Sequence, residues 1–310
     1  MKPVLSKVER RIRNIVALAL ISGIAPSIAL AADLSGTLKK VKDDGIVVVG
    51  FREASIPFSY YNDAKQPIGY SIDFANLVLE RIRQQVNAPD LKVRWLPITS
   101  QNRISLLQNG TIDFECTTTT HNASRAQQVD FSNSLFIIGT RLMAKKDSGI
   151  KDFGDLKGQN VVVGAGTTSE ILLRKLNADQ NMGMRIISAK DHAESFLTLS
   201  TGRAKAMMMD DALLAGERAK TSNPQDYVIT GTPQSYEAYG CMVRKGDAPM
   251  KHLLDDVIAQ TETSGKGEAI YKKWFMSPIP PKNLNLDFPM SQAMQHLFAH
   301  PNDKIDPEAK

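Results

Sequence analysis

Ile46-Val47-Val48-Val49-Gly50 is an unbroken apolar, β-branched run closed by a glycine. No polar residue alternates within it, so the strand it predicts has no face to give to water, the pattern of a strand inside a parallel sheet covered on both sides. Downstream, Ile72, Ala75, Leu79, Ile82 and Val86 recur in steps of three and four, which predicts an amphipathic helix from Ser71 to Val86. Val93 and Trp95 alternate with polar residues in a second strand. Ser100 is placed to cap a short helix reaching Gly110, where glycine permits the stop, and Thr111 to Glu115 follows as a third strand.

The middle of the chain repeats this plan. Strands are expected at Asn160–Gly164, Arg185–Ala189 and Ala204–Met209, with helices from about Ser169 to Asn177 and from Asp191 to near Gly202. Each half contains a helix, a glycine and an apolar strand ending in an acid: Asn109-Gly110 to Glu115, and Thr201-Gly202 to Asp210. Alternating strands and helices imply doubly wound α/β lobes. Two such lobes in one chain place a ligand site in the cleft between them, near the carboxyl ends of the strands. Beyond them the pattern is helical, Met250–Thr263 and Gly267–Phe275, until Ser277-Pro278-Ile279-Pro280-Pro281 breaks it. A short amphipathic segment around Met294 and Leu297 follows, and the polar residues after His300 are expected to fray.

At the other end, Lys2, Lys7, Arg10, Arg11 and Arg13 precede an apolar run from Ile15 to Leu30 that ends in Ala29-Leu30-Ala31. A basic block, an apolar core and a small-x-small end make a secretory signal over residues 1–31 the expectation; Pro26 and Ser27 argue against a membrane anchor. No cysteine stands at the cleavage site to accept a lipid. The chain has 38 Lys+Arg against 33 Asp+Glu, but residues 1–31 carry five of the bases and one acid, so the rest holds 33 against 32. A net charge of +1 gives no support to nucleic-acid or membrane-surface binding. Cys116 and Cys241 are the only cysteines. In an exported chain the pair favours a disulfide, with two buried thiols as the alternative, and neither lies in a metal-binding or CxxC spacing.

Four polar clusters stand where a strand ends or a helix begins: Phe51-Arg52-Glu53 to Pro57-Phe58, Thr99-Ser100-Gln101-Asn102-Arg103, Thr117-Thr118-Thr119-Thr120 with Arg125, and Gly164-Ala165-Gly166-Thr167-Thr168 with Asp210-Asp211. A helix start offers unpaired N–H groups and partial positive charge, and a guanidinium grips carboxylate with two prongs. Three arginines in one half and Asp210 in the other suit an α-amino acid carrying a second carboxylate. Gly164-x-Gly166 lacks the lysine and third glycine of nucleotide-binding loops, and Thr167-x-x-Glu170 fits a capping box.

These segments resemble the solute-binding components of polar amino acid ABC transporters, and specifically the glutamate/aspartate-binding branch, from about residue 44 to 301. The resemblance rests on Phe58-Ser-Tyr-Tyr with Gly69-Tyr-Ser-Ile-Asp73, Pro97-Ile-Thr-Ser-Gln-Asn-Arg103, Asp113-Phe-Glu-Cys-Thr, Asp130-Phe-Ser, Gly166-Thr-Thr-Ser-Glu170, Met209-Asp-Asp-Ala-Leu-Leu-Ala215 and Tyr239-Gly-Cys-Met-Val-Arg-Lys245. Ser71 departs from the family's usual acid after Gly-aromatic, and Ser124 stands where glutamate is frequent.

The resemblance implies a two-lobed type II periplasmic binding protein fold with lobe 1 at 38–136 plus 241–300, lobe 2 at 137–240, a hinge at Phe136–Gly139 and Tyr239–Cys241, and a flexible tail at 301–310. It places Arg125, Thr120 and Thr168 on a ligand α-carboxylate and Asp210 on the α-ammonium. Arg52, Ser100, Arg103 and His192 fall on a side-chain carboxylate, with Thr118 among them where serine is common. The implied partners are L-glutamate or L-aspartate and the permease and ATPase subunits of an importer. A periplasmic monomer without a cofactor is the expectation. Three arginines against one aspartate give the site +2, which favours a dicarboxylic ligand over glutamine. The alternatives are a binder of a neutral polar amino acid and an enzyme of the same fold, a small-acid dehydratase using His192 or His121.

Overall fold

The computed structural model describes residues 34–305; the expected signal segment lies outside the described residues. In chain order the elements begin with α1 (Gly36–Asp44), β1 (Ile46–Phe51), β2 (Ala54–Ser55), β3 (Ser59–Tyr61), β4 (Pro67–Ile68), α2 (Tyr70–Gln85), β5 (Lys92–Pro97), α3 (Arg103–Gln108), β6 (Phe114–Glu115) and α4 (Ala123–Ala126). The long strand β7 (Val129–Lys145) leads to β8 (Asn160–Gly164), α5 (Thr168–Asp179), β9 (Arg185–Ala189), α6 (His192–Ser200), β10 (Ala206–Asp210), α7 (Asp211–Ala219), β11 (Tyr227–Thr230) and β12 (Tyr236–Arg244). Three helices close the chain: α8 (Ala248–Thr263), α9 (Lys266–Phe275) and α10 (Gln292–Ala299).

Among the described residues the main sheet has nine strands, ordered β5-β1-β6-β12-β7-β10-β8-β9, with β11 also on β7. β1 runs parallel to β5 and β6, and β8 runs parallel to β9 and β10. Between these two parallel sets lie β12 and β7, antiparallel to each other. β7 serves both sets: Val129–Gly139 pairs with β12, and Thr140–Lys145 with β10 and β11. The α/β architecture and the buried run at β1 match the sequence reading, with Val47 and Val49 fully enclosed.

β12 shifts register against β7 on either side of Gly240, where the two strands cross together between the parallel sets. An aromatic cluster holds this crossing. Phe136 of β7 stacks on Phe275 of α9 with ring centroids 4.9 Å apart, and Phe58 meets Phe136 edge-on at 4.8 Å and Tyr239 of β12 at 5.4 Å. Rings in these geometries contribute beyond their buried area, so both strands leave a stiff platform. Cys116, just after β6, and Cys241, on the neighbouring β12, form a disulfide. It joins the end of β6 to its neighbour β12.

Several local expectations change. Ser100 does not cap α3: Asn102 stands at that cap, and Thr99 and Asn102 exchange side-chain bonds to each other's amides instead (2.8 and 3.3 Å). The third strand shortens to Phe114–Glu115; just before it Asp113 holds Val48 of β1 twice, its amide donating to the Val48 carbonyl at 2.7 Å and its carboxylate accepting the Val48 amide at 2.9 Å. Thr167 caps α5, but the Glu170 side chain reaches the Gly166 amide (2.8 Å), so the box closes one residue early. After His300 the chain is tied down as far as Asp303: Ser134 donates its amide to the Asn302 carbonyl at 2.8 Å, and Lys251 pairs with Asp303 at 3.1 Å. α10 also meets the crossing, where the Ile137 amide donates to the Met294 sulfur at 3.0 Å. No helix among the described residues is long and apolar enough to cross a membrane.

Candidate functional site

The four polar clusters converge where β1, β6 and β10 end and where α3, α5 and α6 begin. Arg52 follows β1 and is 4% exposed; its Nη1 donates to the Ser100 hydroxyl at 2.8 Å instead of pairing with neighbouring Glu53. Arg103 opens α3 and is 2% exposed, so it does not decorate an outer helix face. Its Nη1 donates to the Thr119 hydroxyl at 2.6 Å and the Thr118 carbonyl at 3.3 Å, and Thr119 passes its own proton to Glu115. The Arg103 Nε is buried and has no protein partner. Arg125 sits in the single turn of α4, which Asn122 caps by accepting the Arg125 amide at 2.9 Å. That turn aims the guanidinium back at the Thr120 carbonyl, 3.0 Å from Nη1.

The opposite wall comes from α5, α6 and β10. Thr168 is the first residue of α5, and its hydroxyl donates to Glu237 at 2.7 Å. His192 is the first residue of α6, after the cap Asp191. Asp210 ends β10, buried, and accepts hydrogen bonds from Tyr239 and from Ser169 at 3.4 Å. The two walls touch. A Cβ on Gly166 would stand 2.9 Å from Gln101 Cγ, and one on Gly216 would meet the Ile56 carbonyl oxygen. Gly166 has φ +75°, which other residues rarely adopt, so that position is doubly restricted to glycine.

Burial governs the electrostatics. Loss of water, then repulsion from Arg103, brings Arg52 down to about 10 and Arg125 down to about 9; both stay protonated at neutral pH. Burial likewise lowers Arg103, against the pull of Glu115. His192 falls well below its usual range, through burial first and then Arg52, Lys220 and Arg103, and is neutral. Asp210 is pushed up to about 7 by burial and then by Glu237, with Tyr239's hydrogen bond pulling the other way. Three guanidiniums, one neutral imidazole and a carboxylate on the facing wall can hold a small zwitterion with an additional anionic group.

All nine expected ligand residues belong to this one cluster; Thr168 is half-buried and the other eight are buried. His121 falls outside it, stacked on Phe131 with centroids 4.4 Å apart. The expected charge of +2 needs correction: Glu115 and Glu237 join Asp210 in the field of the arginines, three acids against three bases. Sequence reasoning passed over Glu237, which accepts from Thr120 at 2.6 Å, from Thr168 at 2.7 Å and from Ser235 at 3.0 Å. Strand periodicity could have found it, because Glu237 stands two residues before the buried Tyr239, on the same face of β12.

A fold of this kind with its polar cluster between two walls defines a solute receptor, and the comparisons narrow the class. Residues 47–277 match the bacterial extracellular solute-binding proteins, family 3, and the chain belongs to that family. It is 56% identical to a glutamate/aspartate import solute-binding protein of Escherichia coli K12, over 94% of this chain and 96% of that one. It is 55% identical to the L-glutamate/L-aspartate-binding protein of Pseudomonas aeruginosa PAO1, over 94% and 97%. An ancestral arginine-binding protein solved with arginine superposes with a TM-score of 0.66 at 31% identity, over 74% of this chain and 98% of that one.

Proposed function

We propose that this chain is a periplasmic receptor that captures L-glutamate or L-aspartate and delivers it to the permease and ATPase subunits of an ABC importer. The observation that carries the reading is Arg103: its Nε is enclosed without a partner, between two further buried guanidiniums. A buried donor left unpaired is costly, and a ligand carboxylate satisfies it. The names borne by the Escherichia coli and Pseudomonas aeruginosa relatives agree in ligand class.

In this reading Arg52, Ser100, Arg103 and neutral His192 take the side-chain carboxylate, with Thr118 beside them. Arg125 and the first turn of α5 take the α-carboxylate, and Asp210 takes the α-ammonium. One lobe spans 38–136 plus 241–300 and the other 137–240, and rotation about the β7–β12 crossing brings Thr168 and Asp210 onto ligand already held by the arginines. A leader over residues 1–31, with a net charge of +1 on the residues that follow it, suits a protein that works outside the cytoplasm.

Calorimetric titration of the ligand-stripped protein with L-glutamate, L-aspartate, L-glutamine and L-histidine tests it. Tight 1:1 binding confined to the two acids is expected. Preference for glutamine or histidine, or no binding at all, would overturn the assignment.

A further inference from the structure

One oxygen of Glu237 accepts from two hydroxyls that reach it from opposite walls, Thr120 Oγ1 at 2.6 Å and Thr168 Oγ1 at 2.7 Å. Its other oxygen takes the Ser235 hydroxyl at 3.0 Å. Each hydroxyl owns a single proton, and a carboxylate can only accept, so both threonine protons are committed to Glu237. Toward the cleft the two threonines therefore present lone pairs. A lone pair attracts an ammonium and repels a carboxylate oxygen.

Resting on the amino acid reading above, we propose that Glu237 is a positioning residue: it turns Thr120 and Thr168 into acceptors for the ligand α-ammonium and fastens the two walls through the same oxygen. The α-carboxylate is then left to Arg125 and the amides of the first α5 turn, where no hydroxyl proton is needed. Glu237 lies on β12, two residues before Tyr239, whose hydroxyl is committed in the same manner to Asp210. The crossing strand thus sets the hydrogen-bond polarity of the ammonium end through two successive inward-facing side chains. The arrangement also gives a reason for a third acid in a site that binds anions: it acts on the hydroxyls and need not touch the ligand.

Glutarate, which is glutamate without its amino group, separates this role from a general one. Competition titrations of wild type and Glu237→Leu with both ligands supply the measurement. Leucine offers the threonines no acceptor at nearly the same volume, so glutamate affinity should fall about tenfold or more while glutarate changes by less than about threefold. Equal losses for the two ligands would reduce Glu237 to a structural support. A gain for both would make it a competitor that ligand must displace. Either result overturns the inference. If Glu237→Leu fails to fold, Thr168→Val must reproduce the selective loss, and an equal loss there overturns it too. Failure of wild type to bind glutamate at all would instead strike the amino acid reading itself.

Discussion

Tyr239 donates its phenolic hydrogen to Asp210, tying the crossing strand β12 to the end of β10. The bond favours the ionised carboxylate in a place where burial and Glu237 push the acid up to about 7. An α-ammonium needs that carboxylate charged. Below pH 7 the ligand-free protein holds a proton that binding must release, so glutamate affinity should fall by up to about tenfold per pH unit between 7 and 5.5 and level off above 7.5. In the ligand-free protein the same raised pKa means that Asp210 adds stability at pH below 3.8 and loses it as the pH rises through about 7. Tyr239→Phe should raise the acid further, costing about tenfold in affinity at pH 7 and less at pH 8.5. Calorimetry in two buffers of different ionisation enthalpy reads both the affinity and the released proton.

Arg103→Ala should separate acid from amide. With Arg103 gone, glutamate loses the partner of a buried carboxylate, a change worth about 3–5 kcal/mol, or more than a hundredfold. Glutamine asks less of the guanidinium and should lose under tenfold. Comparable losses for the two would remove Arg103 from the side-chain end of the site.

The Cys116–Cys241 bridge closes a loop spanning 125 residues, but it joins neighbouring strands on one side of the crossing. It should therefore bear on stability and leave ligand closure alone. Replacing both cysteines with serine should cost about 2–4 kcal/mol, a fall in Tm of roughly 5–15 °C for a chain of this size. Glutamate affinity should stay within about threefold, and a large loss of affinity would place the bridge in the closing movement.

Glu262, on α8, is 3% exposed and both its carboxyl oxygens lack a partner. Burial alone pushes it up to about 9, so folding stability is lost as the pH rises from about 4.5 toward 9. Glu262→Met removes the group at nearly constant volume. The variant should melt above wild type at pH 8 by at least about 2–4 °C, the equivalent of 1 kcal/mol, and the gap should narrow toward pH 5. A gap that does not change with pH would mean that Glu262 stays charged when folded.

Patterns set by a single element were readable from residue order. The β1 run at Ile46, the steps of three and four in α2 and the strand–helix alternation through Asp210 all depend on which side of one element faces the core. What escaped depends on pairs distant in the chain. Of β7 the sequence reading holds only Phe136–Gly139, as a hinge implied by resemblance, while the strand runs 17 residues and changes neighbours midway, from β12 to β10 and β11. Asp113 grips Val48, 65 positions away, through both its amide and its carboxylate. Among site residues, the arginines drew notice because guanidinium beside a helix start has a chemical meaning. Glu237 did not, because an isolated acid on a strand resembles an ordinary surface residue until Thr120 and Thr168 arrive from elsewhere.

Gly166 against Gln101 and Gly216 against Ile56 bring main chain to bear directly on the opposing wall. Under the proposed closure the cleft would work like a calliper with fixed stops. Where side chains line such a contact, a rotamer change can make room for an extra methylene; backbone offers no such give. A solute slightly too long would be turned away by preventing the jaws from meeting, even if every polar group in the pocket found its mate.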